Sequence, residues 1–98
     1  MPQVIVSANA FRNLGRLNIF LREKNPTAAR NAAQAIKKTL LLLEDNPQLG
    51  RSVEDMEDDY REVIIEFGKT GYLARYRFDS DDDKIIVLAV RHQLELDY

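Results

Sequence analysis

The chain has 98 residues, no cysteine and a single histidine. That excludes a disulfide framework, a thiol nucleophile and a multi-histidine metal centre. With 45% hydrophobic and 31% charged residues the composition is that of a globular protein, and no apolar run approaches the roughly 20 residues of a membrane span.

A chain of this length forms one domain, residues 1–98, with a core that buries about 60–65% of the surface the unfolded chain exposes. Met1-Pro2-Gln3 does not open a signal peptide, and the absence of cysteine fits a reducing cytoplasm, the expected location. The formal charge of −2 hides a split. Residues 1–53 carry eight Lys/Arg against three acids, a balance of +5, and residues 54–98 carry six against thirteen, a balance of −7. Such a division suggests an electrostatic partner, although solvated faces alone produce the same pattern.

Gln3–Val6 (QVIV) is short and β-branched and reads as a strand. Ser7 is a suitable N-cap for a helix whose apolar stripe is Phe11, Leu14, Leu17 or Asn18, and Leu21. Gly15 weakens that helix by about 1 kcal/mol relative to alanine unless something packs closely against it. Asn25-Pro26 starts a second helix, with Asn as cap and Pro at the first helical position. Its stripe runs through Ala29, Ala32/Ala33, Ile36, Leu40 and Leu43, and Asn46-Pro47 stops it. Two helices so closely joined form an antiparallel hairpin.

Beyond Arg51 the period changes. Residues 54–59 (EDMEDD) form an acidic loop, and three strand-like runs follow at 60–67, 72–78 and 84–91. The predicted order is β-α-α-β-β-β: an α+β fold with a helical hairpin packed on one face of a small antiparallel sheet. If residues 68–71 close the first hairpin, Phe67 faces Tyr72, Val63 faces Tyr76 and Glu62 faces Arg77. In the second hairpin Asp79 faces Lys84, which sets Ala74 opposite Ala89 and Leu73 opposite Val90.

These registers give one apolar face for the helices and one mixed face. The mixed face holds Ile64, Leu73, Ile86, Leu88 and Val90 with Arg75, Arg77 and Glu62. Each aliphatic is worth about 1.5–3 kcal/mol when fully buried, so a partner chain, a second copy or the tail 93–98 should cover them. Glu62 and Arg77 form a cross-strand ion pair. Arg75, placed between Ile64 and Leu88, either receives a carboxylate or phosphate from outside or extends into solvent.

Two motifs dissolve on inspection. Gly68-Lys69-Thr70 ends like a phosphate-binding loop, but Val63 occupies the required upstream glycine. Asp79-x-Asp81-x-Asp83 imitates a calcium loop, but Lys84 and Val90 stand where glycine and glutamate are needed. No metal or cofactor is therefore expected. His92 is the sole side chain suited to general base work near neutral pH, and a surface histidine at a strand end is the simpler reading.

Taken together, Pro26-Thr27-Ala28-Ala29, Asn46-Pro47-x-x-Gly50-Arg51, Tyr60-Arg61-Glu62, Phe67-Gly68-x-x-Gly71-Tyr72, Tyr76-Arg77 and Val90-Arg91-His92 resemble the RelE/ParE superfamily of bacterial toxins across the whole chain. The resemblance implies a toxin neutralised by a cognate antitoxin of the ribbon-helix-helix type, bound at Ile64, Leu73, Arg75, Arg77, Ile86, Leu88 and Val90. RelE-like members are ribosome-dependent mRNA endonucleases, usually strongly basic. Their middle-strand arginine falls here at Leu73, a second arginine at Gln93, and the strand lysines at Arg61 and Val63, with Tyr98 matching the terminal tyrosine. A ribonuclease built on this chain would rely on Arg75, Arg77, His92 and Tyr98. The ParE-like resemblance is closer and implies a non-enzymatic inhibitor of DNA gyrase, with no gyrase-contact residue assigned. The acidic net charge suits protein binding better than direct nucleic-acid binding. A degenerate, non-toxic binding module is the third alternative.

Overall fold

The computed structural model describes residues 2–95. Its elements are β1 (Gln3–Val6), α1 (Ala8–Lys24), α2 (Pro26–Asp45), β2 (Arg51–Ser52), β3 (Tyr60–Phe67), β4 (Thr70–Asp79) and β5 (Lys84–His92). The strands form one sheet in the order β1-β5-β4-β3-β2. β1 runs parallel to β5 and every other pair is antiparallel, so the sheet is mixed. The two-residue β2 lies between α2 and the acidic loop, in a stretch to which sequence patterning assigns no element because it is too short to show a period. Among the described residues no helix is long and apolar enough to cross a membrane.

Both helices begin where their caps require. The Ala10 N–H donates to Ser7 Oγ at 3.1 Å, and the Ala28 N–H donates to Asn25 Oδ1 at 3.1 Å. Asn25 also closes α1, its own N–H donating to Leu21 O at 2.7 Å. One residue thus ends one helix and starts the next, and the hairpin has no slack.

The α2 stripe packs as its spacing demands: Ala29, Ala32, Ile36, Leu40 and Leu43 are all buried. On α1 the buried residues are Ala10 and Leu17, whereas Phe11, expected in the core, is 72% exposed. It stands at the rim of an open apolar cleft between the helices and β1. The core proper joins α1 and α2 to Val63, Ile65, Tyr72, Ala74, Tyr76, Ile85, Val87 and Val90.

Two local events correct the expected registers. The first hairpin closes through Gly68 and Lys69 alone, with Phe67 opposite Thr70 and Gly68 at φ +63°. Glycine adopts that left-handed conformation without the steric penalty a Cβ brings, so the turn tightens to two residues. Every β3–β4 pair moves by two, which preserves the faces but changes the partners. Glu62 faces Arg75, not Arg77, and Val63 faces Ala74.

The second event is a bulge between Arg75 and Tyr76 on the β4–β5 ladder. Tyr76 pairs with Val87 but Arg75 pairs with Ala89, leaving Leu88 as the extra residue. Beyond it the faces of β5 exchange. Val90, assigned by alternation to the mixed face, lies opposite Ala74 and is 1% exposed in the core. Ala89 takes the outer position. Helix α1 and its cap Ser7 satisfy the backbone that the bulge takes out of register. Leu88 O accepts Ser7 Oγ at 3.2 Å and Asn9 Nδ2 at 3.0 Å, and the Val90 N–H donates to Asn13 Oδ1 at 3.0 Å.

Candidate functional site

The motif residues after α2 gather round one hydroxyl. Tyr76 OH donates to Pro47 O at 2.8 Å and accepts the Gly50 N–H at 2.9 Å. Arg61 Nη1 donates to Gly50 O at 2.8 Å. A Cβ on Gly50 would lie 2.8 Å from Glu62 O and 2.9 Å from the Tyr76 ring, so no larger residue fits without displacement. Burial pushes the Tyr76 phenol above its ordinary value, against smaller lowering effects from the Gly50 hydrogen bond and Arg61. The Asn-Pro-x-x-Gly-Arg segment is therefore a structural anchor that ties the loop after α2 to β4.

The outer face of the sheet, away from the helices, carries most of the residues singled out as a docking surface. Ile64 is 47% exposed, Ile86 and Leu88 are half-buried, and Leu73 is buried between Ile64 and Arg91 on its neighbouring strands. Val90 is excluded from this face by the bulge. Arg75 and Arg77 are both present, and neither stands alone between aliphatics. Glu62, itself buried, receives Arg51 Nη2 at 3.0 Å and Arg75 Nη2 at 3.5 Å. Arg77 Nε donates to Asp59 Oδ2 at 2.7 Å and its Nη1 lies 3.8 Å from Asp79. The hydrogen bond to Asp59, with the field of Asp59 and Asp79, holds the guanidinium protonated even more firmly than usual. Both arginines are neutralised within the chain.

His92 lies elsewhere. It pairs with Tyr72 on the helix side of the sheet, its ring edge-on to the Tyr72 ring at 5.4 Å and 86°. Nδ1 accepts the Leu94 N–H at 3.1 Å, which places the proton of the neutral ring on Nε2, 3.0 Å from Thr70 Oγ1. Both ring nitrogens are engaged. Arg77 sits opposite Ile86, six residues along β5 from His92, or about 20 Å at the rise of an antiparallel strand and on the other face. Arg75, Arg77 and His92 therefore do not converge. Tyr98, the fourth member of that set, lies outside the described residues.

The described part of the tail does not cross the outer face. Gln93 N–H donates to Gly71 O at 2.9 Å, Arg91 Nη1 donates to Glu95 O, and Arg16 of α1 reaches Glu95 at 3.2 Å. These contacts hold residues 93–95 at the sheet end, beside an apolar cleft shared by Phe20, Phe67, Tyr72 and His92. Leu96, part of the expected tail cover, lies outside the described residues.

Sequence reasoning missed the anchoring role of Tyr76 and the pairing of Glu62 with two arginines. Glycine at position 68 was the available signal for the tighter turn and hence for the second of these.

Residues 4–96 match the family described as ParE toxin of type II toxin–antitoxin systems, parDE. Toxin RelE1 of Caulobacter vibrioides is 38% identical over 92 residues, covering 94% of each chain. Toxin RelE3 of the same organism is 30% identical over 95 residues, covering 97% of this chain and 98% of its own. In fold, the chain resembles the toxin–antitoxin complex structures of Escherichia coli RelBE and Mycobacterium tuberculosis RelBE2. The first gives a TM-score of 0.62 at 16% identity, covering 92% of this chain and 94% of that one. The second gives 0.65 at 19% identity, covering 96% and 93%.

Proposed function

The chain belongs to the ParE toxin family of type II toxin–antitoxin systems, and from that premise we propose that it acts by binding a protein target, DNA gyrase, and is held inactive by a cognate antitoxin. One observation carries the reading: Arg75, Arg77 and His92 are spread over two faces of the sheet. Cleavage of a ribose–phosphate bond needs a base, an acid and cations around one phosphate, within hydrogen-bond reach of each other. Here the arginines hold carboxylates of their own chain and the imidazole holds a threonine and a backbone amide. A gyrase inhibitor requires no such convergence, only a stable surface of defined shape and charge.

The antitoxin fits the outer face, where Ile64, Leu73, Ile86 and Leu88 form an apolar strip flanked by Arg75 and Arg77. A ribbon-helix-helix antitoxin would reach it with the segment beyond its DNA-binding domain. Covering this strip relieves the liability of aliphatic side chains in water.

A second reading, mRNA cleavage on the ribosome, is favoured by the RelE names of the two Caulobacter relatives. Expression of the toxin without its antitoxin separates the two. Gyrase-bound DNA breaks with intact transcripts support the first reading, and transcripts cut within translated codons with unbroken DNA support the second. Growth without either lesion points to a binding module.

A further inference from the structure

β2 covers only the start of β3, pairing with Arg61 and Glu62. Among the described residues nothing pairs with β3 on that side from Val63 to Phe67, which is there the edge of the sheet. The hydrogen-bond phase decides which backbone groups that edge presents. The Phe78 N–H donates to Asp59 O on the β4 side, and the Val53 N–H donates to Tyr60 O on the β2 side. Odd residues of β3 therefore bond inward and even residues face outward. Ile64 and Glu66 direct their N–H and C=O groups away from the sheet.

Exposed edges are normally blunted by lysine, proline or a bulge. The segment 63–67 (VIIEF) has no lysine, proline or bulge, and its single charge is Glu66. A trough of about 610 Å³ runs alongside it, lined by Ala35, Thr39, Leu42 and Leu49 on one side and Ile64 and Glu66 on the other. Leu42, Leu49 and Ile64 are 44%, 48% and 47% exposed. Apolar walls beside unpaired backbone groups suit a strand that is bonded along its length and buried on one side.

We propose that the β3 edge receives an extended segment of a partner protein as a sixth strand, with an apolar residue facing Ile64 and a lysine or arginine facing Glu66. Charge sets the second preference. Glu62 is already engaged by Arg51 and Arg75, so Glu66 is the carboxylate offered to the newcomer, and Lys38 stands on the α2 wall of the trough. A partner suits the edge better than a second copy of the chain. Self-pairing about Ile64 would place each Glu66 opposite a Glu62 whose edge is held by β2, self-pairing about Glu66 would oppose two carboxylates, and self-pairing about Ile65 would set each Glu66 against Ile64 with no cation to meet it. The inference is independent of which cellular target the toxin strikes.

Amide hydrogen exchange of the full chain tests it, with a capped synthetic heptapeptide alternating threonine with valine, isoleucine and arginine as the probe. At saturation the Ile64 and Glu66 amides should slow by about tenfold or more, with the β1 edge unchanged. Glutamate in place of the peptide's arginine should weaken binding by about tenfold, and Glu66→Lys should reverse that preference. Ile64→Pro removes an outward N–H while sparing the inward ladder, and should abolish the protection. If that variant does not fold, the Glu66→Lys reversal decides. No binding, protection at another surface, equal binding of the two peptides, or a dimer formed through β3 would each overturn the proposal.

Discussion

The Tyr76 hydroxyl accepts the Gly50 N–H at 2.9 Å, so a residue in the middle of the sheet fixes the loop that leaves α2. Tyr76→Phe would leave that N–H and the Pro47 carbonyl without their partner in a buried setting. The expected cost is about 1–3 kcal/mol, read as a lower denaturation midpoint with an unchanged m-value. Gly50→Ala should cost a similar about 1–3 kcal/mol through contact with the Glu62 backbone and the Tyr76 ring.

The same tyrosine makes the fold sensitive to alkali. Burial raises the phenols of Tyr72 and Tyr76 above their ordinary value of 10.0. A group whose folded pKa lies above its unfolded value binds its proton more tightly in the native state. Its contribution to stability is therefore complete below the unfolded value and disappears as pH rises through the folded one. Unfolding free energy should fall above about pH 10, and Tyr76→Phe should flatten that decline.

Glu62 is the hub of the outer face. Glu62→Gln removes the charge that holds Arg51 and Arg75, one of them mostly solvated. A loss of about 1–3 kcal/mol is expected, larger than for a surface ion pair because the carboxylate itself is buried. Measured stability after the double change Glu62→Gln with Arg75→Gln should recover part of it.

Gly15 offers the opposite sign. A Cβ built there meets nothing within 4 Å. Gly15→Ala should stabilise the toxin by about 0.5–1 kcal/mol, a rise in Tm of roughly 2–8 °C for a domain of this size.

Most of the helical layer was legible because its signals are local. Ser7, Asn25-Pro26 and the α2 stripe each specify a boundary or a face from neighbouring residues alone. The sheet was legible in its strands but not in its partners. Glycine at position 68 allows either a two- or a four-residue turn, and the choice moves every pair by two. The bulge at Leu88 leaves no mark in the local pattern, since it depends on Ser7, Asn9 and Asn13 of a distant helix to satisfy the freed backbone groups. For the same reason the face expected to be mixed is met only in part: Ile64, Leu73 and Ile86 keep their side of the sheet, Leu88 becomes the extra residue of the bulge, and Val90 moves to the core.

That difference predicts two kinds of variant. Ile86→Glu or Leu88→Glu should leave a folded toxin whose antitoxin affinity is at least about tenfold weaker, as expected for charge placed in an apolar contact. Val90→Glu should instead unfold the protein, because it buries a carboxylate beside Ala74 in the core. Circular dichroism and titration calorimetry on the two sets check both halves.

The most direct measurement is supercoiling by purified DNA gyrase in the presence of the purified toxin. The account predicts that supercoiling is lost and cleaved DNA accumulates, that added antitoxin restores activity, and that His92→Gln leaves the inhibition intact. Unimpaired gyrase, together with cleavage of ribosome-bound mRNA that His92→Gln abolishes, would contradict it.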